Sequence, residues 1–146
     1  MSSEVCRIFY TDDDIDDRDI FIDAARQVSE SLQVITQKGG DELISLLNSP
    51  PPFPKIIFLD LNMPVKNGYE VLREIRQSER TKSLPVIIFS TSDDEKAINS
   101  TRQMGANLYI TKPSSFSSLK KAIQYSLSID WGLFNPSSED FVYRPN

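Results

Sequence analysis

Three carboxylates follow two apolar runs of this sequence. Asp12 and Asp13 come directly after a run that ends at Thr11, and Asp60 comes directly after the run at residues 56–59. If both runs are neighbouring buried strands, their ends place all three carboxylates in one pocket. Like charges a few ångströms apart repel by roughly 1 to 4 kcal/mol per pair, so this pocket requires a cation. Hard oxygen ligands, in a chain with no His and one Cys, favour Mg²⁺ or a similar ion over Zn²⁺ or copper.

Alternating β-like and helical segments position these acids. Short apolar runs predict strands over residues 5–10, 32–36, 55–59, 86–90 and 108–111. Apolar residues at helical spacing predict helices over residues 15–29, 41–47, 69–78, 93–104 and 115–129. Ser92 and Glu95 form a capping-box pattern before the fourth helix, and Gly105 stands where the end of that helix favours a positive φ.

This alternation predicts an α/β fold with a doubly wound, five-stranded parallel sheet. Right-handed crossovers, with helices on both faces, make 2-1-3-4-5 the most economical strand order. In that order strands 1 and 3 are neighbours, and the winding direction reverses between them. Ligands of open α/β sheets bind at the carboxyl ends of the strands beside such a switch point, where Asp12, Asp13 and Asp60 fall.

The composition indicates one acidic globular domain. The chain has 146 residues and a formal net charge of −5, which disfavours direct binding to nucleic acid because that affinity rests mainly on Lys and Arg. The first residues lack the pattern of a signal peptide, and no apolar run approaches the roughly 18 residues of a membrane span. We expect a cytoplasmic protein without membrane contact. The single Cys6 cannot form an internal disulfide, which agrees with a reducing compartment.

Two regions do not fit the βα repeat. Residues 48–55 are rich in Pro and predict either a stiff surface connector or a ligand for a Pro-binding partner. Residues 130–146 form a tail after the predicted domain, residues 1–129. The tail carries the aromatic residues Trp131, Phe134, Phe141 and Tyr143. Apolar rings in so short a segment predict docking, either on this domain or on a partner.

The motif around Asp60 resembles the signature of receiver domains of two-component response regulators. It continues with Asn62, Met63-Pro64 and Gly68, and the resemblance extends over roughly residues 4–129. Further matches occur at the ends of the other strands, at Asp12, Asp13, Ser90 and Lys112-Pro113. Residues 11–18 resemble the stand-alone, chemotaxis-regulator-like receivers, some of which serve phytochrome-type kinases. The resemblance implies a flavodoxin-like receiver fold.

The same resemblance implies a chemical role for these side chains. Asp60 would be the nucleophile that takes a phosphoryl group from a phosphohistidine and forms an acyl phosphate. Asp13, Asp60 and the backbone carbonyl of Asn62 would bind Mg²⁺ directly, and Asp12 would act largely through a bound water. Because phosphoryl transfer passes through a loose transition state, the positive charges of Mg²⁺ and Lys112 would supply most of the catalysis.

A conformational switch is implied as well. Ser90 would hydrogen-bond a phosphoryl oxygen, and its movement would vacate space for Tyr109 to rotate inward. Lys112-Pro113 would be a cis peptide that aims the Lys amine into the pocket. Considered alone, Tyr109 is equally well explained as a core residue, and the neighbouring Thr91 and Ser92 offer hydroxyls besides that of Ser90.

The other acids after strand 1 have a structural explanation. Asp14, Asp16 and Asp17 lie at the start of the first helix, where carboxylates cap the helix and interact favourably with its dipole. We therefore expect none of the three to be a metal ligand. Gly68 is expected to serve the backbone geometry before the third helix.

The favoured function is a stand-alone phosphorylation switch, which is no enzyme beyond its own phosphorylation and dephosphorylation. Its expected partners are a sensor histidine kinase or phosphotransfer protein and a downstream protein target, and we expect a monomer or weak homodimer.

A pseudo-receiver that binds constitutively is one alternative, disfavoured by the intact acids and Lys112. A Mg²⁺-dependent phosphohydrolase of the haloacid-dehalogenase type is another, disfavoured because Asn62 cannot act as its general acid. An FMN binder is poorly supported, since three acids would repel the flavin phosphate.

Overall fold

The computed structural model describes residues 6–50, 53–135 and 140–144. The strands are β1 (Cys6–Thr11), β2 (Leu32–Gln37), β3 (Ile56–Leu59), β4 (Val86–Ser90), β5 (Leu108–Thr111) and β6 (Val142–Tyr143). The helices are α1 (Ile15–Val28), α2 (Gly40–Leu47), α3 (Gly68–Gln77), α4 (Glu95–Gln103) and α5 (Phe116–Ser128). Every predicted segment is present, with its ends shifted by at most two residues. Val5, the predicted start of the first strand, and Pro51 and Pro52 of the predicted connector lie outside the described residues.

One parallel sheet runs through the described part of the chain, in the order β2-β1-β3-β4-β5-β6. The predicted order of the first five strands is confirmed, but the prediction of a five-stranded sheet is one strand short. In the sixth strand, Val142 lies opposite Tyr109 and Tyr143 lies opposite Ile110. Two residues are too few to display a hydrophobic period, so the sequence carries no visible strand signal there.

Alternating side chains of the strands build two apolar cores, one on each face of the sheet. On one face, Ile8 and Tyr10 of β1 join a cluster with Phe21 of α1 and Ile123 of α5. On the other face, Phe9 joins a cluster to which α2, α3 and α4 contribute. Burial on both faces explains why the strand sequences are almost continuously apolar. The acids at the ends of β1 and β3 therefore emerge from a framework that is packed on both sides.

Polar side chains cap the starts of α1, α3, α4 and α5. Asp14 caps α1 as predicted, and its carboxylate accepts hydrogen bonds from the N–H groups of Asp16 and Asp17. The predicted capping box before α4 is wrong: Asp94 is the cap and accepts from the Lys96 N–H at 3.2 Å, while Ser92 Oγ accepts from the Asp94 N–H. Ser92 and Asp94 both place a side-chain oxygen just before α4, and the sequence pattern does not show which of the two caps the helix. No helix within the described ranges has the length and apolar character to cross a membrane.

The described part of the segment after α5 packs on the same chain. Phe141 is 1% exposed, and its carbonyl accepts a hydrogen bond from the Tyr109 N–H at 2.8 Å. The Tyr143 ring stacks on Tyr125 of α5, with 4.1 Å between ring centroids. Residues 136–139 and 145–146 of the predicted tail lie outside the described residues. The edge of β5 is thus covered by the chain itself.

Candidate functional site

An acidic pocket lies where β1 and β3 end side by side. Thr11 is paired with Leu59, so the next residue of each strand, Asp12 and Asp60, leaves the sheet at the same level. One oxygen each of Asp12, Asp13 and Asp60 lies within 4.8 Å of the other two. Asp12 and Asp60 are buried and Asp13 is exposed. The fold therefore brings the three predicted carboxylates together, with one side of the pocket open to solvent.

The Asp12 carboxylate is held by donors on both of its oxygens. The Tyr10 hydroxyl donates to Oδ2 at 2.7 Å, and the Asp14 N–H donates to Oδ1 at 3.0 Å. The buried Arg18 guanidinium donates to the Asp12 main-chain carbonyl at 2.8 Å. Asp12 is therefore fixed in its main chain and in its side chain before any ligand arrives.

Lys112 reaches across the pocket from the residue after β5. Its Nζ lies 2.7 Å from Asp12 Oδ2, 3.0 Å from Asp17 Oδ2 and 3.8 Å from Asp60 Oδ1. Burial lowers the pKa of Lys112, but the hydrogen bond to Asp12 and the charge of Asp60 outweigh this, so the pKa lies above its ordinary value. The site thus holds a permanent cation closer to Asp12 and Asp17 than to Asp60.

Asp17 has a part in the site that its position in the sequence did not reveal. We expected this acid only to favour the helix dipole, but its carboxylate is one of the two that hydrogen-bond Lys112. Asp17 lies in the first turn of α1, which begins just after the carboxyl end of β1, at the same end of the sheet as the pocket. The available signal was the position of Asp17 close after Asp12 and Asp13, and the sequence did not show that Lys112, 95 residues away, would be its partner.

The pocket makes the negative charge of Asp60 costly. Burial, opposed by the Lys112 ammonium and reinforced by Asp12, raises the pKa of Asp60 to about 6. The backbone N–H of Asn62 hydrogen-bonds this carboxylate and stabilises its charged form. A carboxylate in such surroundings gains from an added cation more than a solvated one does, because less water is present to screen the charge.

The connection from β3 to α3 passes close to Asp60. Gly68 begins α3, and a Cβ there would lie 2.7 Å from Leu61 Cα and also overlap the Asp60 carbonyl. The predicted backbone role of Gly68 is thereby explained as a close approach of two main-chain segments. Between them Val65 has φ 68°, and the Lys66 N–H donates to the Pro64 carbonyl at 2.8 Å, which forms a tight γ-turn. Asn62 is exposed in this connection.

Ser90 and Tyr109 lie on neighbouring strands beside the pocket. Ser90 is completely buried, its Oγ accepts from the Ser92 N–H at 3.2 Å, and its carbonyl accepts from the Lys112 N–H. The Tyr109 ring is also completely buried, and its hydroxyl donates to the Ser92 carbonyl at 2.7 Å. The ring thus already occupies an inward position, so an inward rotation cannot begin from this conformation.

Residues 8–124 match the response regulator receiver domain family. The chain belongs to this family. Response regulator Rcp1 of Synechocystis is 40% identical over 73 residues, which are 50% of this chain and 50% of that protein. A protein-glutamate methylesterase/protein-glutamine glutaminase of Trichodesmium erythraeum is 38% identical over 121 residues, which are 82% of this chain and 33% of that protein. The matched part of the chain spans half or less of the length of these curated relatives.

Solved receiver structures resemble nearly the whole chain. Phosphorylated RcpA, a cyanobacterial phytochrome response regulator, has a TM-score of 0.78 at 29% identity over 92% of this chain and 98% of that chain. The Mn²⁺-bound form of Rcp1 has a TM-score of 0.75 at 27% identity over 90% of this chain and 99% of that chain. The predicted receiver family and flavodoxin-like fold are confirmed by these similarities.

Proposed function

We propose that this chain is a single-domain response regulator that accepts a phosphoryl group from a phosphohistidine on Asp60 and thereby changes its contacts with other proteins. The main support is the convergence of three carboxylate oxygens within 4.8 Å, with Lys112 Nζ 3.8 Å from Asp60 Oδ1. Phosphoryl transfer relies on positioning and positive charge, and this pocket combines a nucleophile, cation-binding acids and a fixed ammonium. We assign to it no reaction other than its own phosphorylation and dephosphorylation.

The acidic residues fit a Mg²⁺ ion. Asp13 and Asp60 would be direct ligands with the backbone carbonyl of Asn62, and Asp12 would act through water. Hard carboxylate oxygens suit this ion, and the raised pKa of Asp60 marks a charge that a cation would stabilise. When bound, Mg²⁺ supplies positive charge to the phosphoryl oxygens. The similarity to the Mn²⁺-bound form of Rcp1 supports a divalent ion at this place.

Lys112 and Ser90 are assigned to phosphoryl binding. Lys112 lies between Asp12 and Asp60. To contact a phosphoryl group on Asp60, its amine would give up part of its contact with Asp12 and Asp17. The Ser90 hydroxyl accepts a long hydrogen bond, at 3.2 Å from the Ser92 nitrogen, and it also interacts with the Tyr109 hydroxyl. We assign the proton of this hydroxyl to a phosphoryl oxygen in the phosphorylated state. Ser90 ends β4, the strand next to β3, and Lys112 follows β5, the next strand beyond β4, so both residues lie at the same end of the sheet as Asp60.

The output is assigned to the surface of α4, β5 and α5, together with β6. Tyr109 is buried between these elements and hydrogen-bonds the loop that starts at Ser90. A displacement of Ser90 toward a phosphoryl group pulls on this loop and on the Tyr109 hydroxyl. The Tyr109 ring is already buried, so it cannot rotate further inward. The change that reaches the surface is therefore a repacking of the neighbouring side chains around this ring.

The kinase partner is assigned to the phytochrome type. RcpA is a phytochrome response regulator, and the similar RPA3017 acts in red light signalling of R. palustris. RPA3017 has a TM-score of 0.77 at 26% identity, over 90% of this chain and 99% of that chain. Phosphotransfer profiling against the histidine kinases of the source organism tests this assignment: a phytochrome-type kinase should label the chain first, and faster labelling by another class would refute it.

The phosphoacceptor is tested by incubation with acetyl phosphate and Mg²⁺. Mass spectrometry of wild type should show one phosphoryl adduct, located on Asp60, and the adduct should be absent without Mg²⁺. Asp60→Asn should not be labelled, whereas Asp19→Asn, which alters an exposed acid of α1, should behave as wild type. Equal labelling of Asp60→Asn would place the nucleophile elsewhere, and an unlabelled wild type would favour the pseudo-receiver.

A further inference from the structure

The Tyr10 ring is locked in the core beneath the acidic pocket. It is 0% exposed, and it stacks on Phe21 with 4.3 Å between ring centroids and an angle of 7°. Phe89 meets it edge to face, with 5.9 Å between centroids. A ring packed in this manner has no alternative rotamer without opening the core. The position of its hydroxyl is therefore set by the sheet and not by the pocket.

This hydroxyl is not required for packing. Tyr10 lies on the face of β1 where Ile8 also lies, and the neighbouring members of this core are apolar. A Phe would fill the same place. The hydroxyl instead donates to Asp12 Oδ2 at 2.7 Å. This single hydrogen bond connects the Tyr10 side chain, which is otherwise packed in the apolar core, to the acidic pocket.

Two donors share the same carboxylate oxygen. Lys112 Nζ also lies 2.7 Å from Asp12 Oδ2, while it lies 3.8 Å from Asp60 Oδ1. The two donors differ in mobility, because Lys112 is a long side chain at the edge of the pocket and Tyr10 is fixed in the core. If Lys112 turns toward a phosphoryl group on Asp60, Tyr10 remains as the donor to this buried oxygen.

We propose that Tyr10 is a positioning residue, whose hydroxyl holds the Asp12 carboxylate in its metal-binding orientation while Lys112 exchanges partners. This inference rests on the proposed function, since it assumes that Asp12 serves a divalent ion. Outer partners of metal ligands orient those ligands, and their loss typically lowers metal affinity or activity by about 10- to 100-fold. Tyr10 acts only through Asp12 and touches neither the ion nor the phosphoryl group.

The test compares Tyr10→Phe with wild type in the full chain. Tyr125→Phe is the matched control, because it removes the hydroxyl of a tyrosine of α5 that stacks on Tyr143 of the edge strand β6. Mg²⁺ affinity is measured from backbone amide NMR shifts of Asp13 and Asn62. The ¹³C shift of the Asp12 side-chain carboxyl in ion-free protein reports its hydrogen bonding directly, and thermal unfolding checks that each variant is folded.

Tyr10→Phe should weaken Mg²⁺ binding about tenfold and shift the Asp12 carboxyl signal, while Tyr125→Phe changes neither. A purely structural role would lower the unfolding temperature and leave both NMR readouts as in wild type, which would overturn the proposal. Acetyl phosphate labelling of wild type separates the two proposals: if wild type binds Mg²⁺ but is never labelled, the phosphorylation proposal fails, and the affinity comparison still decides the role of Tyr10. A wild type that binds no Mg²⁺ overturns both.

Discussion

At the scale of single residues, the negative charge of Asp60 opposes folding of the ion-free protein. Its raised pKa of about 6 means that the folded, ion-free protein holds this proton more tightly than the unfolded chain does. The ion-free protein should therefore lose stability as pH rises from about 4 to above 6, because the buried carboxylate must ionise. The charge of the proposed phosphoacceptor thus destabilises the ion-free protein at neutral pH.

Asp60→Asn should remove this liability. In the presence of a chelator at pH 7.5, the variant should be more stable than wild type by about 3 kcal/mol, because folding raises the pKa of the Asp60 carboxyl from 3.8 to about 6. Near pH 4 the folded-state carboxyl is protonated and the unfolded-state carboxyl is close to its own pKa, so the difference should fall below about 1 kcal/mol. Urea unfolding at the two pH values measures it, with Asp19→Asn as the exposed control. A difference that is the same at both pH values would show that ionisation of Asp60 is not its cause.

Gly68 is a second residue at which the site constrains the sequence. A Cβ at this position would overlap the main chain of Asp60 and Leu61, and main chain cannot move aside as a flexible side chain can. Gly68→Ala should cost about 1 to 3 kcal/mol of stability, as overpacking does, and it should slow labelling of Asp60 by shifting its backbone. Gly39→Ala is the matched control, because nothing lies within 4 Å of a Cβ there. Equal labelling rates in the two variants would contradict the close-approach explanation.

At the scale of elements, β6 is held by few contacts that all converge on β5 and its neighbours. Phe141 lies 6.5 Å from the Tyr109 ring centroid, and the Arg102 guanidinium lies 5.9 Å from the Phe141 ring. The segment adds one short edge strand and one buried ring to the domain. It can open by itself, because a two-residue strand at the edge of a sheet unfolds locally at a lower free energy than the central strands do.

Phe141→Ala should therefore release β6 without unfolding the sheet. Truncation of a buried Phe costs about 3 to 5 kcal/mol at a core position, but here the loss is limited to the free energy that docks the segment. Hydrogen exchange of the Tyr109 amide, which donates to the Phe141 carbonyl, should become much faster, while the amides of β3 and β4 stay protected. Phe134→Ala, in the described part of the same segment, should leave the Tyr109 amide unchanged. Full protection of that amide in Phe141→Ala would mean that β6 stays docked without its ring.

The elements that the sequence predicts well are those with a local pattern. The runs before Asp12 and Asp60 are apolar and bounded by acids, and their parallel pairing follows from the helices between them. The contacts that could not be predicted join residues far apart in the chain, as Asp17 and Lys112 do, or Tyr109 and Phe141. The acid at residue 17 is of the same type as its capping neighbours, and the ring at residue 141 is one of several aromatic rings in the tail, so residue type alone does not identify the partner of either. The partner of each of these two residues is determined by the packing of the folded chain.

At the scale of the whole molecule, the two ends of the sheet carry different sets of polar contacts. The carboxyl ends of β1, β3 and β5 carry the acidic pocket and Lys112. At the opposite end, Arg76 of α3 donates to the Gly105 carbonyl at 2.9 Å, to the Leu84 carbonyl at 2.9 Å and to Asn107 Oδ1 at 2.7 Å. The same Asn107 oxygen accepts from the N–H of Val86 at the start of β4. One guanidinium thus joins the connections that lead into β4 and β5.

Arg76→Lys should separate stability from chemistry. A lysine keeps the charge but lacks the planar fork that reaches several carbonyls at once, and the partners left without a donor should cost about 2 kcal/mol of stability. The rate at which acetyl phosphate labels Asp60 at a temperature where the variant is folded should stay within about twofold of wild type, because Asp12, Asp60 and Lys112 lie at the carboxyl ends of their strands, whereas this guanidinium joins the connections before β4 and β5. Arg73→Lys, on the exposed face of the same helix, should change neither quantity. A labelling rate that falls together with stability would show that the two ends of the sheet are coupled, and would contradict a pocket preformed by strand packing alone.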